Sequence, residues 1–312
     1  MLKTRLARLD DLPELERLRR AVPYPGSVFL DEQAYLERAL GRLRDSLPRL
    51  SELPDLRVVV LQQDDRLVGY LLLVVDDEHG VTHQMQAVIL DLAVFDFEAL
   101  SRLVNRARKI VAAFENEYLV VDLAAADRRT QLWFYRCGFR AEHNRVVKWI
   151  PAGTSGARSA EFPVRRARPD DLPFIMKVHS AFTRAYRPAG RQVDLEQLEL
   201  SYQMTYLTLD LNEPLYFILE EGASGRRAGY LLLKEGPPVA SRKAFYVYDV
   251  AIDPEFSGRG LSVFLQGAAE SVAGQQGGFV YGDGSLDTAS IASWHSQMGY
   301  PVDTIRFGLH VK

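Results

Sequence analysis

The chain repeats itself once, and this duplication constrains its fold more than any other feature of the sequence. Similar segments recur in the same order and at a nearly constant separation. The matching pairs are 5–13 with 165–173, 69–73 with 229–233, 91–94 with 249–252 and 138–139 with 299–300, at separations of 160, 160, 158 and 161 residues. Four matches in one order indicate that the chain contains two copies of one fold.

A segment of small residues separates the two copies. Residues 151–157 read Pro-Ala-Gly-Thr-Ser-Gly-Ala, which is a composition typical of flexible linkers. We therefore predict a first domain over residues 1–150, a linker over 151–161 and a second domain over 162–312. Each domain is long enough to bury a core of its own.

Both copies predict the same order of secondary structure. A short strand leads to an Asp-Asp pair that can cap a helix, and an amphipathic helical region follows. Three strands, a helix, a strand, a short helix and a last strand complete the order β-α-β-β-β-α-β-α-β. This order predicts an α/β fold in which helices cover the faces of a mixed sheet. In the second copy the last three of these elements are predicted at Gly278–Tyr281, Ala289–Gln297 and Thr304–Val311.

Composition excludes several classes of protein. With 47% hydrophobic and 25% charged residues, the chain has the composition of a soluble globular protein. Its net charge of −3 argues against a nucleic-acid partner, and its single cysteine, Cys137, excludes an intramolecular disulfide and a cysteine metal cage. No signal peptide and no membrane span can be recognised. We expect a cytoplasmic protein without metal.

The most informative segment is Val250–Ser262, with the sequence Val-Ala-Ile-Asp-Pro-Glu-Phe-Ser-Gly-Arg-Gly-Leu-Ser. A strand ends, a turn with two glycines follows, and a helix begins. Backbone amides at a helix start lack an acceptor within the helix and lie at the positive end of its dipole, so they can hold a pyrophosphate. On its own, such a turn is also compatible with a simple tight turn.

This segment resembles the signature of the GCN5-related N-acyltransferases (the GNAT superfamily), and the element order fits that family over residues 162–312. Ser257 and Ser262 depart from the family's usual Gln or Arg and Gly or Ala. The resemblance implies two tandem GNAT-type domains and acetyl-CoA as co-substrate. Pyrophosphate contacts are implied for the amides of Ser257, Gly258, Arg259, Gly260, Leu261 and Ser262, pantetheine contacts for the strand Val250-Ala251-Ile252, and a weaker cofactor contact for Thr288.

The first copy lacks the glycine turn. Five residues, Phe95–Ala99, stand where the second copy has eight, residues 253–260, and no glycine is among them. Asp96 and Glu98 would repel a pyrophosphate. We therefore interpret the first copy as a degenerate GNAT-like domain that packs against the second and has no cofactor site of its own.

Acetyl transfer to an amine requires a base, a donor for the oxyanion and an acid for the departing thiolate. The family's usual acid is a Tyr four residues before a Gly-Phe pair, and that position is His295 here. Asp249 is a candidate base, although the degenerate copy keeps Asp91 at the equivalent place, and Tyr246 and Tyr248 are rivals. The alternatives are a surface role for His295 and a structural role for Asp249.

The acceptor is the least readable part of the function. The family's acceptor cleft is capped by the helical region that holds His179, Tyr186, Tyr202 and Tyr206 here. Aromatic residues at helical spacing are more often core residues, and as cleft residues they favour a small-molecule amine. We predict an N-acetyltransferase that uses the second domain; the alternative is a non-catalytic acyl-CoA sensor or scaffold.

Overall fold

The computed structural model describes residues 2–23, 32–78, 84–185, 194–239, 242–286 and 298–311. In the first sequence copy the elements are β1 (Leu2–Leu6), α1 (Leu12–Ala21), α2 (Glu32–Ser46), β2 (Leu56–Gln63), β3 (Arg66–Glu78), β4 (Met85–Ala93), α3 (Phe97–Ala113), β5 (Tyr118–Ala124), α4 (Arg128–Arg136) and β6 (Arg140–Ile150). In the second copy they are β7 (Val164–Arg166), α5 (Leu172–Ala185), α6 (Leu195–Leu207), β8 (Tyr216–Glu221), β9 (Arg226–Val239), β10 (Arg242–Ile252), α7 (Ser262–Gly274), β11 (Gly278–Ser285) and β12 (Val302–His310).

The described residues form two compact units whose limits differ from those of the sequence copies. Unit 1 lies within residues 1–144 and 303–312, and unit 2 lies within 145–188 and 192–302. The last strand of the chain, β12, therefore belongs to unit 1, and residues 145–150 of β6 belong to unit 2. The predicted boundaries at 150 and 162 describe the duplication, and the compact units divide the chain elsewhere.

Unit 1 is a mixed sheet with the strand order β1-β2-β3-β4-β5-β12. Neighbouring strands are antiparallel except for β4 and β5, which run parallel. Strand β12 pairs along all of β5, from Thr304 opposite Ala124 to His310 opposite Tyr118. Its Phe307 is fully buried in a core that includes residues of α3, β2 and β3. The C-terminal strand is therefore an integral part of this unit.

Unit 2 repeats this arrangement, with β7, β8, β9 and β10 antiparallel and β11 parallel to β10. Strand β6 is next to β11, and its Val146 and Ile150 are buried among residues of α7, β8 and β9. Helices α5 and α6 contribute Ile175, Val178 and Tyr206 to a second core on the other side of β9. In the described part of the chain, no helix is long and apolar enough to cross a membrane.

The Asp-Asp pair at the start of each copy forms the same local structure. Asp11 accepts the amide of Arg8 and holds Arg5 through two hydrogen bonds, at 2.7 and 2.8 Å. In unit 2, Asp171 accepts the amide of Arg168 and binds Arg165 in the same way. The aspartate caps a short 3-10 turn before the helix and links it to the first strand by a bidentate ion pair.

The segment between the copies is packed along α7, in contrast to the flexible linker that its composition predicts. The amide of Gly153 donates to the carbonyl of Gly274 at 2.8 Å, and that of Gly156 to the hydroxyl of Ser271 at 2.9 Å. A Cβ at Gly267 would lie 2.4 Å from the carbonyl oxygen of Ala157. Small residues on both sides therefore let the backbone of the segment approach that of the helix.

We expect Gly267→Ala to destabilise the protein by about 1–3 kcal/mol, because the added methyl group overlaps the backbone of the packed segment. Gly41 is the matched control, since it also lies within a helix but has no neighbouring atom within 4 Å of a Cβ. Gly41→Ala should stabilise the protein by roughly 0.5–1 kcal/mol through helix propensity alone. Urea denaturation followed by circular dichroism measures both, and effects of the same sign would contradict the packing.

Candidate active site

The turn before α7 adopts the conformation that its glycines permit. Gly258 and Gly260 have φ angles of +78° and +70°, in the left-handed region that residues with a Cβ rarely adopt. No atom lies within 4 Å of the position that a Cβ would take at either residue. The turn therefore offers an open surface of bare backbone at the start of the helix.

The amides of this turn and of the first helical residue are available to a ligand. None of the amides from Gly258 to Ser262 donates a hydrogen bond to another described residue. Leu261, at the N-cap, supplies no capping side chain, and the first turn of α7 contains no acidic residue. The amide of Ser257 is different, because it donates to the carbonyl of Pro254 at 3.2 Å. The predicted set of six amides thus contains five that are available.

The side chain of Arg259 is occupied outside the turn. Its guanidinium lies over the ring of Phe162, 4.8 Å from the centroid, and 3.8 and 3.9 Å from the carboxylates of Glu161 and Glu221. The side chain is 44% exposed to solvent. Its available contribution to an anion site is the backbone amide.

Beside the turn, strand β10 has a backbone edge that no strand of the described residues pairs with. Its parallel pairing with β11 covers Ala244–Val247 and then stops, although β10 continues to Ile252 and β11 to Ser285. A bulge at Tyr248 shifts the register with β9 at this point. The amide of Asp253 donates to β9, so strand alternation turns the backbone groups of Val250 and Ile252 the other way, into the gap left by β11.

Asp249 lies at the bulge and binds three donors on the side of the sheet that α5 and α6 cover. Its Oδ2 accepts hydrogen bonds from Nδ1 of His179 at 2.8 Å, from the hydroxyl of Tyr230 at 2.5 Å and from the hydroxyl of Tyr206. Burial raises the pKa of the Asp249 carboxyl, but the hydrogen bond and electrostatic interaction with His179, together with the hydrogen bonds from Tyr206 and Tyr230, outweigh it and hold the pKa below its ordinary value. The carboxylate is therefore ionised at neutral pH.

Tyr246 belongs to a separate group of side chains in unit 2. Its hydroxyl donates to Oδ2 of Asp283 at 3.2 Å, and Arg145 binds the same carboxylate with two hydrogen bonds of 2.9 and 3.0 Å. Burial, with the nearby Asp283 charge, raises the pKa of the Tyr246 hydroxyl, so the phenol keeps its proton. This geometry suits a hydrogen-bond donor better than a base.

Comparisons with known proteins agree with this geometry. Residues 176–300 match the family model described as acetyltransferase (GNAT) family. No curated protein sequence matches the chain. Among solved structures, the GCN5-related N-acetyltransferase from Sphaerobacter thermophilus has 16% identity and a TM-score of 0.57, and the alignment covers 100% of this chain and 96% of that one.

Two further structures are similar at lower scores. A GCN5-related glucosamine N-acetyltransferase region of a fungal multi-domain beta-N-acetylglucosaminidase has 14% identity and a TM-score of 0.50, covering 99% of this chain and 38% of that one. A tandem GNAT protein from the clavulanic acid biosynthesis pathway has 15% identity and a TM-score of 0.49, covering 100% and 99%.

Residues 176–300 form a GNAT-family domain. The likeness that spans the whole chain extends the GNAT fold to both units, so the protein is a tandem pair of GNAT folds, as the resemblance implied. Acyl transfer is the chemistry of the family. Two of the predicted site residues, Thr288 and His295, lie outside the residues that the structure describes, as do Tyr186 and the side chain of Tyr202.

The GNAT fold of unit 1 lacks an available helix start. Asp96 is the N-cap of α3, and its Oδ1 accepts the amide of Ala99 at 2.8 Å. A carboxylate of the chain itself thus occupies the place where a helix start could bind an external anion. The gap in the sheet remains, because the pairing of β4 with β5 also stops early, at Ile89 opposite Val121.

Sequence reasoning treated His179 and Tyr206 as helix residues near the acceptor and did not connect them with Asp249. A comparison of the two copies could have pointed to this group. His179 corresponds to Arg19, and Tyr230 to Tyr70, each at a separation of 160 residues. Within the described ranges, no group of three or more His, Cys, Asp or Glu side chains is arranged to hold a metal ion.

We expect the chain to bind one equivalent of acetyl-CoA, because α7 begins with available amides and its counterpart α3 is capped by Asp96. Titration calorimetry on the full chain measures the stoichiometry. Asp96→Ala serves as the control, since it removes the cap of α3 and should lower stability by roughly 0.5–2 kcal/mol without creating a second site. A stoichiometry of two in the wild type would contradict the difference between the units.

Proposed function

We propose that unit 2 transfers an acetyl group from acetyl-CoA to the primary amine of a small-molecule acceptor. The observation that carries this proposal is the pair of free backbone surfaces in the GNAT domain: five available amides before and at the start of α7, and the open edge of β10 beside them. The first suits a pyrophosphate, and the second suits the amide groups of a pantetheine chain added as a strand.

The two surfaces support one order of the cofactor along the site. With the pyrophosphate at Gly258–Ser262 and the pantetheine along Ile252 and Val250, the thioester would lie near the bulge of β10. That end of the gap is where Asp249 is placed, on the side covered by α5 and α6. The acceptor amine would approach from this side.

In the reaction, the amine nitrogen attacks the thioester carbon, the C–S bond breaks, and the coenzyme A thiolate leaves. The amine gives up a proton and the thiolate gains one. We assign the second proton to His295, on the family resemblance, and give Tyr246 the role of a protonated donor near the acceptor. Because its pKa is held low, Asp249 is a weak base, and we infer that water takes the proton of the amine.

We expect Gly260→Glu to weaken acetyl-CoA binding by at least about 2 kcal/mol, roughly 30-fold in Kd, because a carboxylate enters the pyrophosphate site. Calorimetry gives the Kd, and a thiol reagent with a panel of primary amines gives the rate of transfer. Transfer should fall with binding while circular dichroism stays native. An unchanged Kd in a folded variant would place the pyrophosphate elsewhere.

Gly225→Glu is the matched control for this substitution. Gly225 also has a positive φ angle, +65°, and no atom within 4 Å of a Cβ, but it lies in the turn between β8 and β9. The two variants share the added charge and the backbone strain, so only Gly260→Glu should affect acetyl-CoA. No release of thiol from wild-type protein with any amine, despite tight binding, would contradict the proposed catalysis and favour a sensor of acyl-CoA.

A further inference from the structure

In the described part of the chain, the negative charge of the Asp249 carboxylate has no lysine or arginine partner. Among the described residues, no lysine or arginine nitrogen lies within 4.0 Å of it, and its one ion-pair partner is the imidazole of His179. Three hydrogen-bond donors on Oδ2 stabilise the ionised form. A partly buried charge of this kind favours a ligand of opposite sign.

The equivalent aspartate of unit 1 shows what a compensated arrangement looks like. Asp91 also accepts the hydroxyl of a β3 tyrosine, Tyr70, at 2.5 Å. Asp91 also lies beside Arg19, whose Nε is 3.6 Å from its Oδ1. The two copies therefore share the Asp–Tyr pair and differ in the residue from the first helix, which is a permanent cation in unit 1 and a histidine in unit 2.

The aspartate of unit 2 is also more exposed to solvent than that of unit 1. The Asp91 side chain is 5% exposed, whereas that of Asp249 is 22% exposed. In Asp249 all three hydrogen bonds reach Oδ2, and Oδ1 accepts none from a described residue. The protein thus holds one oxygen of the partly exposed Asp249 carboxylate with three donors, and the other accepts no hydrogen bond from a described residue.

The groups around Asp249 are suited to an organic cation. His179 comes from α5, Tyr206 from α6 and Tyr230 from β9, and Tyr248 is its neighbour in the bulge. Lys234, also on β9, has its Nζ 3.4 Å from the centroid of the Tyr248 ring, and burial lowers its pKa. Because Lys234 covers the ring of Tyr248, the ionised carboxylate is the group that favours an ammonium over a neutral molecule.

We propose that Oδ1 of Asp249 binds the protonated amine of the acceptor, so that the substrates of unit 2 are primary ammonium compounds and not amines that are neutral at physiological pH. This inference rests on the proposed acetyl transfer and adds the charge of the substrate to it: the bound ammonium first releases one proton to water, and the neutral amine then attacks as described above. His179 stands where the first copy has Arg19. This exchange removes the permanent cation beside the carboxylate and lets a cationic ligand bind there.

The test uses the full chain, with benzylammonium as probe and benzyl alcohol as its uncharged counterpart, in saturation-transfer NMR at neutral pH. Wild-type protein should bind the ammonium at least about tenfold more tightly than the alcohol. Asp249→Asn removes the charge, and His179→Arg supplies the guanidinium of the first copy. Each should weaken ammonium binding at least about tenfold.

Glu196→Gln is the matched control for net charge, because Glu196 is an exposed acid near the start of α6. It should bind the ammonium as the wild type does. If Asp249→Asn fails to fold by circular dichroism, His179→Arg carries the test. Equal binding of alcohol and ammonium, no ammonium binding to wild type, or unchanged binding in the folded variants would each overturn the inference.

The readout separates this inference from the proposed function. If ammonium binding does not change in Asp249→Asn and His179→Arg while acetyl-CoA still binds, the cation site is wrong and the cofactor site is unaffected. Ammonium binding that follows the predicted pattern, without any acetyl transfer, would support the cation site and contradict the catalysis.

Discussion

The amides at the beginning of a helix need acceptors that the helix cannot provide, and the two units of this chain meet that requirement differently. In unit 1 the carboxylate of Asp96 accepts the amide of Ala99 and closes the start of α3. In unit 2 the loop is longer, its two glycines adopt positive φ angles, and five successive amides remain available before and at the start of α7. The open edge of β10 gains its significance from these amides, because together they match the two ends of one extended ligand.

The duplication could be recognised from sequence, but the way in which its parts combine could not. Within the described residues, the order of elements and most strand positions agree with the predictions, because hydrophobic alternation marks strands well. The predicted helix Ala289–Gln297 lies outside those residues. Strands β6 and β12 occupy equivalent places in the two copies, and in each of them hydrophobic and polar residues alternate in the same way. Such a pattern records that one face of a strand is buried and not which sheet buries it. The membership of β12 in unit 1 therefore became visible only in the structure.

Only the local part of the candidate site could be predicted from the sequence. The glycine turn is local, so the glycine positions alone predicted its backbone conformation, although the amide of Ser257 proved to be engaged with Pro254. The group around Asp249 is assembled from α5, α6, β9 and β10, and no spacing along the chain brings His179 to Tyr206 and Asp249. The retention of Asp91 in unit 1 suggested a purely structural aspartate. The two aspartates nevertheless differ in their partner from the first helix, which is Arg19 for Asp91 and His179 for Asp249.

Hydrogen–deuterium exchange of the full chain, with and without saturating coenzyme A, tests the difference between the two helix starts most directly. The amides of residues 258–262 have no acceptor in the described protein, so they should exchange rapidly alone and slowly with the ligand. The amide of Ala99 is already bonded to Asp96 and should not change. Unchanged exchange at 258–262, or equal protection of residues 95–100, would contradict the assignment of the cofactor site to unit 2 alone.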